Sequence, residues 1–265
     1  HRDLHSFPTR RSSDLKADKR SRALRSTWLQ GTRALPARAR NRLAAFVLFR
    51  TEPMNVDALI RAIGPRVAHC TASENMRGIE THGLQSAADL AKRLHHPAST
   101  IALRDDRLRL VHNGETARLK HQRPILYGLE AANRIVEGHD AQSWAEQLDQ
   151  RIFFWPEKRG QAFAKSIAND TPIAILWFKT DLIIAEFGDA LYLSPINSGN
   201  FKQGGANVRR GDWIYTALTD GLEAFRTNRM TRGLKPTPDT VTEISLTRRI
   251  NASTLKKLLA AVDRP

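Results

Sequence analysis

Cysteine is almost missing from this chain: 265 residues contain one, Cys70. A single thiol closes no internal disulfide and suits a reducing, cytoplasmic setting. Nor can it supply the thiolates of a structural zinc site. The histidines at His95-His96, His112, His121 and His139 lack zinc spacing, so no metal is expected. No apolar run approaches the roughly 20 residues of a bilayer span, and no membrane association is expected. Acidic side chains are the scarcer sign, 27 against 42 basic ones, which leaves a net charge of +15. Glycine-rich dinucleotide and Walker loops, the H-E-x-x-H zinc motif and the G-x-S-x-G nucleophile elbow are all absent, which removes the chemistries they carry.

The charge is unevenly spread. Residues 1–53 hold +9 of it and residues 54–265 hold +6. The opening HRDLHSFPTRRSSDL, His1 to Leu15, resembles a translated sequencing adapter. Residues 16–53 continue it with no clear hydrophobic period before Leu43–Phe49. Met54 opens MNVDALIRAIGPRVAH like an ordinary start. Residues 1–53 are therefore expected to be a non-native read-through segment, disordered or loosely helical. A native peptide from residues 16–53, seen by mass spectrometry, would overturn this. Residues 54–265 make one domain of ordinary size, large enough for a core. A charge of +6 permits a nucleic-acid partner without demanding one. Oligomeric state is not legible.

The patterning predicts short strands alternating irregularly with helices, an α+β chain. Val56–Ile63 has helical spacing and stops at Gly64-Pro65. Arg66–His69 reads as a strand. Thr71 and Glu74 have capping-box spacing, so a helix is expected to start at Thr71 and run to Gly83. Further helices are expected over Ser86–Leu94, Pro124–Val136, Ala141–Gln150, Lys158–Ala168 and Leu182–Phe187. Strands are expected within Thr100–Val111 and over Ile152–Trp155, Ile173–Phe178, Leu191–Leu193, Trp213–Ala217 and Val241–Leu246. Residues 200–211 read as a loop and Gly221–Asp239 as a mobile stretch. Asn251 can cap a last helix that would put Leu255, Leu258, Leu259 and Val262 on one face.

Three stretches carry candidate chemistry. VAHCTASENMRGIETHGL places His69 and Thr71 at a strand end before a helix, and Cys70 points to the opposite face from His69. Thr71 as a helix cap and His69 as a core residue is the competing reading. Ser194-Pro-Ile-Asn197-Ser198-Gly199 offers hydroxyls, an amide and backbone N–H groups, and with Arg209 and Arg210 it could hold a phosphate. Against this stands an ordinary Asn/Ser turn. Glu243 lies on an alternating strand, where a carboxylate faces either solvent or a site.

His69, Thr71, Asn75, Ile79, Gly83 and Leu84 match the pattern H-x-T-x-x-x-N-x-x-x-I-x-x-x-G-L. It resembles the first motif of the ADP-ribosyltransferase superfold, with the closest echo in the DNA-targeting toxins. The pattern is shared by RNA 2′-phosphotransferases. Arg151-Ile-Phe-Phe-Trp155 before a helix is similar to the second superfold motif, although Phe and Trp stand where Tyr or Ser is usual. His121-Gln122-Arg123-Pro124, Trp144, Arg151–Trp155, Ser194–Gly199 and Arg210-Gly211 together resemble a bacterial family of uncharacterised proteins, which implies relatives but no activity.

The superfold resemblance implies a split mixed sheet flanked by helices and NAD as substrate. It implies that His69, Thr71 and Asn75 bind NAD, that Phe154 or Trp155 stacks on nicotinamide, and that Asn197, Ser198 and Arg210 complete the site. Glu243 would be the catalytic carboxylate, and the acceptor could be a nucleic acid. The alternatives are a non-catalytic nucleotide or nucleic-acid binder and a 2′-phosphotransferase, which would need several Arg and His around the same cleft.

Overall fold

A computed structural model describes residues 55–127, 133, 135–168, 171–201, 208–234 and 239–263. The expectation for residues 1–53 and most of the 200–211 loop lie outside the described residues.

Helix α1 (Val56–Ile63) starts where Asn55 accepts from the Ala58 amide and buries Leu59 and Ile63. Strand β1 (Arg66–Ala72) follows, and a 3-10 turn leads into α2 (Met76–His82). Helix α3 (Ala87–Arg93) is capped by Ser86. Then comes a hairpin of β2 (Leu108–His112) and β3 (Glu115–Leu119), turned by Asn113-Gly114, both at positive φ. Leu94, Ile101, Leu110, Ala117 and Leu119 close a small core between α3 and this hairpin. Helices α4 (Arg123–Leu126) and α5 (Ala141–Asp149) lead into β4 (Ile152–Pro156), α6 (Glu157–Ile167), β5 (Ile173–Lys179), α7 (Thr180–Phe187) and β6 (Leu191–Ser194). The chain continues through β7 (Thr216–Ala217), α8 (Gly221–Thr231), β8 (Glu243–Leu246), α9 (Ala252–Leu258) and β9 (Leu259–Asp263).

The architecture is α+β. One sheet orders its strands β7-β6-β8-β4-β1-β5-β9, and every pairing between its named strands is antiparallel, where a mixed sheet was expected. Its centre is uneven. Strand β1 pairs with β5 from Arg66↔Lys179 to Ala72↔Ile173, but with β4 only at Val67↔Pro156 and Ala68↔Trp155. Strand β4 goes on to pair with β8, from Phe154↔Ile244 to Ile152↔Leu246. From His69 onward the sheet is therefore split between β1 and β4. On one face Val67, Phe154, Leu176, Phe178, Ile244 and Leu246 form the main core under α1 and α7. On the other, Ala68, Ile173, Ile175 and Trp177 pack against Ala164 and Ile167 of α6.

Several local expectations change. Thr71 is not the helix cap: β1 runs on to Ala72, the turn begins at Ser73, and no side chain caps it. The Thr71 hydroxyl instead accepts from Asn75 Nδ2 at 2.9 Å. The stretch 221–239 holds α8, with Phe225 fully buried. The last helix stops at Leu258, because the chain pairs as an edge strand with β5 beyond it, so Leu259 and Val262 belong to β9. The helix expected over 124–136 begins as the short α4, and residues 128–132 lie outside the described residues. Gly83 sits at φ +82° against the Ile250 carbonyl, where a Cβ would fall 1.9 Å from the oxygen. Beside it Leu84 and Ile250 exchange both main-chain hydrogen bonds, clasping α2 to the approach of α9. No helix among the described residues is long and apolar enough to cross a membrane.

Candidate functional site

The split opens a cleft of about 520 Å³. Its lining includes His69, Thr71, Asn75, Trp155, Asn197, Ser198 and Glu243, residues far apart in sequence but carried by β1 and the turn after it, β4, β8 and the turn after β6. Phe154 and Arg210 are not part of the lining. Phe154 alternates to the opposite side of β4 from Trp155 and packs edge-on against Phe178 in the main core. Arg210 is fully buried, and its guanidinium donates to the carbonyls of Val208, Asn197 and Asn200 while lying 4.2 Å from the Phe201 ring. It holds the 197–200 turn from behind.

His69 marks the point where β1 and β4 separate. Across the gap its Nδ1 lies 2.9 Å from the Phe153 carbonyl. A carbonyl only accepts, so Nδ1 carries the proton and Nε2 is left as an acceptor. Burial pushes the imidazole down to about 4, with the Phe153 carbonyl opposing, so the ring is neutral at physiological pH. Asn75 is engaged by the fold: Nδ2 donates to Thr71 Oγ1 and the Arg118 carbonyl, and Oδ1 accepts from the Arg118 amide at 2.7 Å. It fastens the turn after β1 to β3.

Glu243 is 2% exposed. Its Oε1 accepts from Ser198 Oγ at 2.6 Å and from the Ser198 amide at 3.3 Å. The Ser198 carbonyl in turn accepts from Trp144 Nε1 at 3.1 Å, and Asn197 Oδ1 accepts from the Gly199 amide. Burial raises the Glu243 carboxyl to about 7, opposed by the Ser198 hydrogen bonds and by the charges of Arg210 and Lys120. The Ser-Pro-x-Asn-Ser-Gly turn is therefore a cradle for a carboxylate. The phosphate site expected there with Arg209 and Arg210 is not formed. Ser198 serves Glu243, Arg210 serves carbonyls, and Arg209 is exposed beside Glu137.

Cys70 lines the same cleft, but burial pushes its thiol up to about 12, so it is no ready nucleophile. Among the described residues no group of three or more His, Cys, Asp or Glu could hold a metal ion.

The basic part of the cleft was not legible in the sequence. Arg104, Arg107, Arg118, Lys120 and Arg151 all contribute to the lining. Two are tied to acids: Arg104 to Asp149 at 2.8 Å and Arg118 to Glu74 at 2.6 Å. Arg151 donates to Ser245 Oγ and stacks over Tyr215. Lys120 sits over the Phe163 ring at 4.2 Å, and Phe163 stacks on Trp155. The Asn113-Gly114 dipeptide could have revealed this wall. A hairpin turned there alternates Ala117 and Leu119 into the small core and puts Thr116, Arg118 and Lys120 on the other face.

One cleft therefore carries a buried carboxylate and several cations in its lining. Residues 65–255 match the model of a family of unknown function (DUF7002), and the chain belongs to that family. Comparison with curated proteins and with solved structures returned no match.

Proposed function

We propose that this cleft binds NAD and that the protein is an ADP-ribosyltransferase or a close derivative, acting in the cytoplasm. The observation that carries the reading is that His69 and Glu243 line one cleft, opened where β1 parts from β4. That is the arrangement the motif resemblance implies. In this reading the His69 Nε2 acceptor takes a ribose hydroxyl, and Trp155 takes the nicotinamide ring. Trp155 replaces Phe154 in that role, because Phe154 faces the core.

The chemistry follows from charge. The bond between C1′ of the ribose and the nicotinamide nitrogen breaks with its electron pair leaving on nicotinamide, and the sugar becomes an oxocarbenium ion. An acceptor then bonds to C1′ and gives up its proton. A carboxylate about 4 Å from the cation contributes roughly 4 kcal/mol at an effective dielectric near 20. Felt only in the transition state, that is about a thousandfold in rate. Glu243 must be ionised for this, and a cationic nicotinamide riboside lowers its raised pKa on binding.

Calorimetry with NAD tests the reading. The wild type binds NAD and releases nicotinamide; His69→Ala weakens binding; Glu243→Ala retains binding and loses about a thousandfold in turnover. No binding at millimolar NAD overturns it. Binding without turnover in the wild type leaves the non-catalytic nucleotide binder. The basic lining favours a second reading, the RNA 2′-phosphotransferase, which predicts NAD-dependent loss of an internal 2′-phosphate from a short RNA.

A further inference from the structure

Two donors in the cleft, on Lys120 and Trp155, have no acceptor among the described residues. The Lys120 ammonium packs on the Phe163 ring with no hydrogen bond or ion pair among the described residues. The Trp155 side chain is 8% exposed, and its indole N–H is buried without a partner. A buried donor left unpaired costs roughly 1–3 kcal/mol, so such groups call for an explanation. These two belong to one stack, Trp155 on Phe163 at 4.0 Å between ring centroids, with the ammonium on the far ring. Arg107 is near enough for its charge to act on Lys120. The carboxylate whose charge acts on Lys120 is Glu243, which is already held by Ser198.

We infer that the Lys120–Phe163–Trp155 wall is an anion subsite that receives a phosphate or pyrophosphate group of the bound nucleotide, with Lys120 as its principal contact. This rests on reading the cleft as a nucleotide site, but not on NAD chemistry. A lysine suits this role as a point charge that tolerates several phosphate orientations. The aromatic ring beneath it keeps the ammonium in place without neutralising it.

The test compares ADP with adenosine by calorimetry, using the full chain, with inorganic pyrophosphate as a competitor. The wild type is expected to prefer ADP at least tenfold and to lose ADP to pyrophosphate. Lys120→Met is expected to remove the preference while adenosine binding is unchanged; Lys120→Arg keeps most of it. A matching 5′-phosphorylated dinucleotide shows whether the phosphate belongs to a free nucleotide or to a strand end. Equal binding of ADP and adenosine, no binding of either, or a preference that survives Lys120→Met in a folded variant overturns the assignment. A protein that prefers ADP through Lys120 yet leaves NAD intact overturns the transferase reading alone.

Discussion

The two sides of the cleft are built on opposite terms. Around Glu243 the polar groups hold one another: Ser198 holds the carboxylate twice, Trp144 holds Ser198, and Arg210 holds the turn. Around Lys120 an ammonium and an indole N–H have no hydrogen-bond acceptor among the described residues. The same fold braces the carboxylate and leaves the ammonium and the indole N–H open. A group that must meet developing charge is best fixed before the ligand arrives, since reorganisation then costs nothing at the moment of reaction. Groups that recognise a ligand's own charge are completed by the ligand.

The largest effect that tests this contrast is on stability against pH. The Glu243 carboxyl is raised to about 7 from 4.5, so its contribution is full below about pH 4.5 and is lost as pH rises to 7. The His69 imidazole is lowered to about 4 from 6.5, so its contribution is full above about pH 6.5 and is lost as pH falls to 4. The two slopes oppose each other. Glu243→Gln is expected to gain about 3 kcal/mol relative to wild type between pH 4.5 and 7, and His69→Asn to lose a similar amount between pH 4 and 6.5. Urea titrations across that range measure both; flat differences would mean the cradle is wet.

Next in size, Ser198→Ala removes a donor that stabilises the ionised Glu243. The apparent pKa of turnover then rises by about one unit, and the rate below the midpoint falls about tenfold but recovers at higher pH. A loss equal at every pH would make Ser198 a ligand contact instead.

The smallest test applies one change to both walls. Trp144→Phe loses the bond to Ser198 and leaves its carbonyl unpaired, whereas Trp155→Phe loses no hydrogen bond. Thermal melts should separate the two by about 1 kcal/mol, with Trp144→Phe the less stable. Equal losses would erase the distinction between the walls.

What was readable beforehand follows the range of the forces involved. Helix α1, strand β5 and the Asn251 cap rest on local pattern and were legible. The hairpin has a local signal as well, the Asn113-Gly114 turn between β2 and β3. Strand β9 was not: its residues fit a helix face, and only the open edge of β5 makes them a strand. The site divides the same way. His69 and Glu243 stand in recognisable positions. That Phe154 faces the core while Trp155 faces the cleft depends on which side of β4 the main core forms. That Arg210 braces a turn depends on carbonyls 10 and 13 residues away.

The clasp between Leu84 and Ile250 has a consequence for how the molecule is made. A ribosome releases the His69 strand and α2 early, yet the backbone partner of Leu84 and the carboxylate that shares the cleft with His69 emerge only after β5, β6 and α8. Until then the motif has no fixed neighbour on that side. Contacts of such long sequence separation form slowly. A stalled or shortened nascent chain would therefore carry the whole recognisable motif and no formed cleft, and pulse-labelled protease protection of residues 69–84 should rise only once residue 250 has left the exit tunnel.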